Sequence, residues 1–235
     1  MTAAPLHFAG KRLLLDPLGA VIWPDAGLLA VADLHFEKGS ACAVNGSLVP
    51  PWDTAATLDR LGLLMRRWQP ALVVALGDSF HDRYGPGRMA PGNAARLRAM
   101  MQAAEFIWVL GNHDPALPPG LGGSATEVWS LGGLEFRHQA KPGAGPELCG
   151  HHHPKASITT RAGTVTRPCF VADAKRLMLP SLGAFTGGLD VSSPAIAGLF
   201  PRGGRAFLLG QGRLFSFTLA QVAGPVPRLG ATRAS

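Results

Sequence analysis

The chain has 235 residues, 47% of them hydrophobic, enough to fill a complete core, yet no apolar run reaches the ~18 residues of a membrane span. Its three cysteines, Cys42, Cys149 and Cys169, are odd in number and widely spaced, which argues against a disulfide framework or a cysteine-based zinc knuckle and fits a reducing cytoplasm. The net charge is +7, with 17 Arg against 5 Lys. Guanidinium groups suit phosphate contacts, so a polyanionic partner is one reading of that charge. The other is an Ala/Gly/Arg-rich composition without function, because the basic residues are scattered. The opening stretch MTAAPLHFAGKRLLLD lacks a basic segment followed by an apolar one, so no signal peptide is expected.

In chain order, RLLLD (12–16) and AVIW (20–23) predict a hairpin turned at PLG. GLLAVADLHF (27–36) reads as a buried strand ending in polar residues. DTAATLDRLGLLMRRW (53–68) puts Leu58, Leu61, Met65 and Trp68 at helical spacing, with Asp53 or Thr54 as cap and Pro70 as stop. ALVVALGDSF (71–80) repeats the pattern of buried strand and polar tip, GNAARLRAMMQAA (92–104) reads as a second helix, and FIWVLGNHD (106–114) as a third strand. From about residue 125 the pattern changes to short β runs between Gly/Pro turns: ATEVWS, GLEFRH, SITTR, TVT, CFVADA, RLMLP, AFLLG and RLFSFTL. Helices in the first half and strands afterwards predict an α/β fold with helices packed on sheets. One domain is expected over 1–222, and the tail AGPVPRLGATRAS (223–235) is too poor in apolar residues to dock and is expected to be mobile.

Polar residues collect at the strand tips. Three apolar runs end in Asp33-Leu34-His35, in Gly77-Asp78 and in Gly111-Asn112-His113-Asp114; GLEFRH ends in His138, and PELCG runs into His151-His152-His153. Six of the eight histidines fall at such tips, and His81 lies just past one. Each piece alone is an ordinary capped turn, loop start or strand residue. Parallel strands would bring the tips to one edge, where open α/β sheets place their sites. Imidazole and carboxylate without thiolate suit Mn, Fe, Zn or Co. Two carboxylates, one Asn and at least four His exceed the needs of one ion, so two are implied, the arrangement used for in-line phosphoryl displacement.

The order D-x-H, GD, GNHD, a lone His and GHxH, carried here by residues 33 to 153, resembles the signature of the calcineurin-like metallophosphoesterases. The stretches ADLHFEKG, LGDSFHD, GHHHP, RPCF and LPSLGAFTGGLD are similar to the ligase-associated DNA damage response endonuclease subfamily, the PdeM type. The resemblance implies a four-layer α/β/β/α sandwich with the site at the strand C-terminal ends. It implies that Asp33, His35 and His153 hold the first ion, that Asn112, His138 and His151 hold the second, and that Asp78 bridges them. It implies a hydroxide between the ions as nucleophile, with His113 assisting the leaving oxygen. On an extended segment His151 and His153 would face the ions while His152 points elsewhere. Cys149 is expected to be buried packing.

The pattern departs from the family where an Asp often follows the bridging Asp by three residues to orient the catalytic His. Here that position is His81, and the carboxylate comes one later as Asp82. The orienter of His113 is therefore Asp82, Asp114 or neither. Arg83 reads as a phosphate contact or a solvated loop charge. His152 reads as a bracing residue or a substrate contact. LPSLGAFTGGLD (179–190) is either part of the site mouth or a tight turn. The expected function is a di-metal phosphodiesterase or nuclease acting on DNA in repair, with Mn2+ ahead of Zn2+, Fe2+ or Co2+. DNA ligase and helicase partners follow by resemblance only. The alternatives are a small-molecule phosphatase or nucleotide hydrolase on the same site, and a non-catalytic scaffold. With only 7% aromatic residues, no base-stacking platform is visible, so DNA contact is expected to be directed at the backbone.

Overall fold

The computed structural model describes residues 2–118, 120–161 and 163–222; the tail expected at 223–235 lies outside them. Two sheets carry the fold. The first runs β1 (Ala4–Phe8), β2 (Lys11–Leu15), β3 (Val21–Trp23), β4 (Leu28–Val31), β5 (Leu72–Leu76), β6 (Glu105–Val109) and β7 (Ser124–Thr126), in that spatial order. Its first four strands are antiparallel neighbours, and β4 to β7 are parallel. Between them lie α1 (Lys38–Val44), α2 (Asp53–Trp68), α3 (Gly85–Arg88) and α4 (Pro91–Ala103).

The second sheet is built from β8 (Val128–Leu131), β9 (Leu134–Arg137), β10 (Glu147–Cys149), β12 (Gly163–Ala172), β13 (Arg176–Met178), β14 (Arg205–Leu209) and β15 (Leu214–Thr218), with β11 (Lys155–Thr160) paired to β12. Its order is β15-β14-β12-β13-β10-β9-β8. The TVT and CFVADA runs merge into the single strand β12, whose first half is mostly exposed and whose last four residues are buried. Two further four-residue helices, α5 (Pro194–Ala197) and α6 (Leu219–Val222), complete the order.

Side-chain alternation along the parallel strands explains the layers. Leu28, Ala30, Val74, Leu76, Ile107 and Val109 face the second sheet and meet Phe136, Leu148, Phe170, Leu177 and Phe207. Leu29, Val31, Val73, Ala75, Phe106 and Trp108 face α2 and α4, which contribute Leu58, Leu61, Leu64 and Leu97. Covered on both sides, β4 is buried throughout, which is why its sequence reads as a continuous apolar run. The outer face of the second sheet packs Cys149, Cys169, Val171 and Leu208 against Ile196 of α5 and Leu219 and Val222 of α6. The α/β/β/α order is present, with its fourth layer thinned to these two short helices. No helix among the described residues is long and apolar enough to cross a membrane.

One buried ion pair fixes the start of β10. Arg176 and Glu147 are register partners, and Arg176 donates from Nε to Glu147 Oε1 at 2.5 Å. The same guanidinium donates to the carbonyls of Leu199 (2.6 Å) and Lys141 (3.0 Å), while Arg137 Nε lies 3.0 Å from the other Glu147 oxygen. Arg176→Met strips one partner from a fully buried carboxylate and is expected to cost about 3–5 kcal/mol. A denaturation midpoint unchanged from that of the parent chain would refute this.

Candidate metal centre

β4, β5 and β6 are parallel and end side by side, and β9 and β10 of the second sheet are parallel to each other. The tips are then tied together by backbone. Asp33 N–H donates to Gly77 O (3.2 Å), His35 N–H to Asp78 O (2.9 Å) and Phe36 N–H to Ser79 O (2.8 Å), while Gly150 N–H donates to His138 O (2.9 Å). Asp114 clamps the β5 and β6 tips: its buried carboxylate accepts from Ser79 N (2.7 Å), Phe80 N (3.1 Å) and Gly111 N (3.0 Å). Burial pushes its pKa up to about 6, against the opposing pull of those bonds.

Three glycines make this closeness sterically feasible. A Cβ on Gly77 would lie 2.4 Å from the His138 ring, one on Gly111 2.2 Å from Asp78 Oδ1, and one on Gly150 2.5 Å from Asp33 Oδ2.

The result is two clusters of three donors. Asp33, His35 and His153 converge in one, and Asp78, His138 and His151 in the other; within each, one donor atom per residue lies within 4.8 Å of the rest. Ring nitrogens face each other at hydrogen-bond distance: His35 Nε2 and His153 Nε2 at 3.2 Å, His151 Nδ1 and His138 Nε2 at 3.0 Å. Asn112 Oδ1 is 3.0 Å from His138 Nε2. Asp78 Oδ2 reaches both groups, 3.9 Å from His35 Nε2 and 3.4 Å from His138 Nε2.

His138 donates from Nδ1 to Leu76 O (2.9 Å), which leaves Nε2 as the atom aimed into the cluster. Burial pulls the His138 pKa down, but the bond to Asp78 and the charges of Asp33 and Asp78 outweigh it and raise the value to about 9. Burial and the neighbouring His153 lower His35 to about 2. Burial works against the Asp78 carboxylate, yet bonding to His138 holds it down at about 2.

The backbone here is unusual. Nine non-glycine residues among those described have positive φ, and five of them are cluster members: Asp33 (53°), His35 (43°), Asp78 (47°), His151 (74°) and His153 (46°). Such conformations persist only where surrounding structure imposes them, and they concentrate at functional sites. They also correct one expectation: His151 and His153 are not aimed by strand alternation. The strand ends at Cys149, and left-handed bends at both residues turn the rings inward.

His113 borders both clusters, its side chain 39% exposed, with its ring edge-on to His35 at 5.2 Å and Nε2 3.9 Å from Asp78 Oδ2. Its Nδ1 donates to the backbone carbonyl of His81 (2.7 Å), and its own N–H donates to Asp78 Oδ1 (2.9 Å). Of the three orienters left open by the sequence, the geometry meets the last: neither carboxylate touches His113. Asp82 is taken by Arg88 Nη2 (2.7 Å) and Tyr84 N (2.7 Å), and Asp114 by the backbone clamp. The His81 ring stacks on His113 with centroids 5.0 Å apart, and its Nδ1 lies 3.3 Å from His35 Nδ1. Arg83 stacks over Tyr84 at 4.7 Å. His152 packs beside His151 and borders a cavity of about 640 Å³ with Gln139, Ala195 and Leu199. Cys149 is fully buried, and burial pushes its thiol up.

Two features escaped the sequence reading. Ser181 Oγ donates to Asp33 O (2.6 Å), and Lys38 is close enough to His81 to help lower its pKa, behind burial and His113. The 179–190 stretch lies along the centre: Leu182 N–H donates to Ala32 O, Gly183 N–H to Asp33 O and Leu189 N–H to His152 O.

Two linked clusters of carboxylate and imidazole at strand ends, with no thiolate among them, form a donor set that could hold divalent metal ions, as in a metal-dependent enzyme. The calcineurin-like phosphoesterase profile matches residues 27–177, and the chain belongs to that family. A solved structure of Pseudomonas putida nuclease MPE is similar, with a TM-score of 0.71 and 31% identity over 92% of this chain and 100% of that one. Yfce, a phosphoesterase from E. coli, superposes more loosely, with a TM-score of 0.39 and 14% identity over 81% of this chain and 97% of that one. No curated protein sequence matches. The protein is a metal-dependent phosphoester hydrolase.

Proposed function

We propose that this chain is a two-metal phosphodiesterase acting on nucleic acid, with DNA as the foremost substrate. The observation that carries it is Asp78, whose single carboxylate lies between a histidine of each cluster. The donor set fits a pair of divalent ions: buried carboxylates and imidazoles turned towards one another lose their mutual conflict when a cation sits among them. Asp33, His35 and His153 would hold one ion, Asn112, His138 and His151 the other, and Asp78 both. Mn2+ is the favoured pair over Zn2+, Fe2+ or Co2+, because three oxygen donors accompany the imidazoles and thiolates are absent. When bound, such a pair supplies a deprotonated water near neutral pH and neutralises charge on the phosphoryl oxygens.

The chain's own residues do the rest. The His81 carbonyl holds the His113 ring by Nδ1–H, which leaves Nε2, 3.9 Å from Asp78 Oδ2, as the atom that would pass a proton to the leaving oxygen when the ring is protonated. Asp78 Oδ1 holds the backbone beneath that ring through its bond to His113 N–H. The likeness to a nuclease and the net charge of +7 support a nucleic-acid substrate, since phosphate contacts dominate such affinity. A setting in DNA repair, with ligase and helicase partners in the cytoplasm, rests on the motif resemblance alone.

The test is a pair of rates. Stripped of metal and reloaded with Mn2+, the protein is expected to hydrolyse bis-(p-nitrophenyl) phosphate faster than p-nitrophenyl phosphate. A faster monoester would overturn the diester reading and point to a small-molecule phosphatase. No turnover of either, with no bound metal, would point to a scaffold.

A further inference from the structure

Phe185 is a bulky aromatic that is 47% exposed, and its φ of 58° lies in the left-handed region. Exposed placement and a strained backbone are both unfavourable for phenylalanine, so neither packing nor conformational preference accounts for it. The surrounding loop explains how the ring is held. Ser181, Leu182 and Gly183 are bonded to the backbone at Ala32 and Asp33, and Ala184 N–H donates to Thr57 Oγ1 (3.0 Å). Gly188 backs onto the His153 carbonyl so closely that a Cβ there would lie 2.2 Å from the oxygen. Both ends of the loop are thus fastened to the centre, and the ring stands on a rigid support.

Phe185 borders a cleft of about 360 Å³ that also takes in His153, Arg60, Lys155, Thr166 and Ser181. Arg60 donates to the Leu182 carbonyl (2.9 Å), and neither Arg60 nor Lys155 has a carboxylate partner among the described residues. An aromatic face, two unneutralised cations and three hydroxyls, of Thr166, Ser181 and Thr186, therefore lie together, and the cleft reaches a histidine of the first cluster.

Resting on the nuclease reading, we propose that this cleft is a subsite for the nucleotide next to the scissile phosphate: its base stacks on Phe185, and its phosphate meets Lys155 and Arg60. A stacked base must be unpaired, so the subsite takes a single-stranded or extruded nucleotide. Charge complementarity excludes a purely apolar occupant. The stacking platform that the composition concealed is a single residue placed by its loop.

The experiment compares kcat/KM for a short single-stranded DNA with kcat/KM for bis-(p-nitrophenyl) phosphate, in Mn2+-loaded parent, Phe185→Ala, Phe185→Trp and Lys155→Ala. Loss of one stacked base corresponds to roughly a 5- to 150-fold fall in the DNA-to-small-diester ratio for Phe185→Ala, mainly through KM. Phe185→Trp is expected to keep the ratio, and Lys155→Ala to lower it and flatten its salt dependence. An unchanged ratio in Phe185→Ala, or equal losses on both substrates, would overturn the subsite while leaving the nuclease reading intact. A parent protein that cleaves the small diester but leaves DNA whole would overturn the nuclease reading, and the subsite with it.

Discussion

His113→Ala is expected to lower kcat by about 10²–10⁴ while the bound metal stays at the parent level. The substitution removes only the imidazole. The His113 N–H that donates to Asp78 Oδ1 belongs to the backbone and remains, so the carboxylate keeps its position. The two donor clusters contain no atom of the His113 side chain. On the proposed mechanism, what is lost is the Nε2 beside Asp78 that would protonate the leaving oxygen. The loss is expected to be smaller for p-nitrophenol, a good leaving group, than for an alkyl alcohol that needs protonation. Full activity in the variant, or a loss indifferent to the leaving group, would refute the role.

Asp78→Asn is expected to fail differently. The amide keeps the shape of the carboxylate but not its charge, and one of its two oxygens becomes an NH2 with nothing to offer a cation. Asp78 lies within 3.9 Å of His35, His113 and His138, so the change touches one histidine of each cluster and His113. Metal content should fall below that of the parent, and the rate should drop by 10²-fold or more, with both measured on the same preparation. A variant with parent metal content and parent rate would exclude Asp78 as a bridge. The two variants thus separate the role proposed for His113, moving a proton, from that proposed for Asp78, holding the ions.

Much of this was legible from residue order. The tips were readable because β4, β5 and β6 are parallel and covered on both faces, so each shows as an apolar run with an abrupt polar end. The long helix Asp53–Trp68 was readable from its spacing, but its cap was not. The Asp53 carboxylate accepts from Gly39 N–H (3.0 Å) and Thr54 bonds Glu37, so both expected caps serve α1 and its approach instead. α1 itself, KGSACAV, has no apolar period to reveal it. β1 was hidden by Pro5, which an edge strand tolerates. The convergence of His151 and His153 was expected, but its cause was not visible. Residue type does not announce a left-handed backbone at histidine, and the triple run looks extended on paper.

The orienter of His113 was hidden for a related reason. A sequence displays carboxylates as candidates, while a main-chain carbonyl is present at every position and signals nothing. The geometry uses that of His81 and reserves Asp114 for holding two strand tips together. The thin fourth layer was likewise invisible, since single-turn helices such as Pro194–Ala197 carry too few residues for a period.

The five left-handed residues of the centre invert the usual relation between robustness and mutation. Elsewhere in a fold, a substitution that relaxes the backbone is welcome. At Asp33, His35, Asp78, His151 and His153 the relaxing residue is glycine, which would remove strain of about 1–3 kcal/mol per position and the donor with it. Directed evolution for heat tolerance alone, with no demand for turnover, would therefore reach the proposed metal ligands along with the other left-handed residues, Ala9, Glu37, Gln69 and Phe185. If the proposed ligands carry the chemistry, a stability screen of this protein selects against it unless activity is scored in the same round.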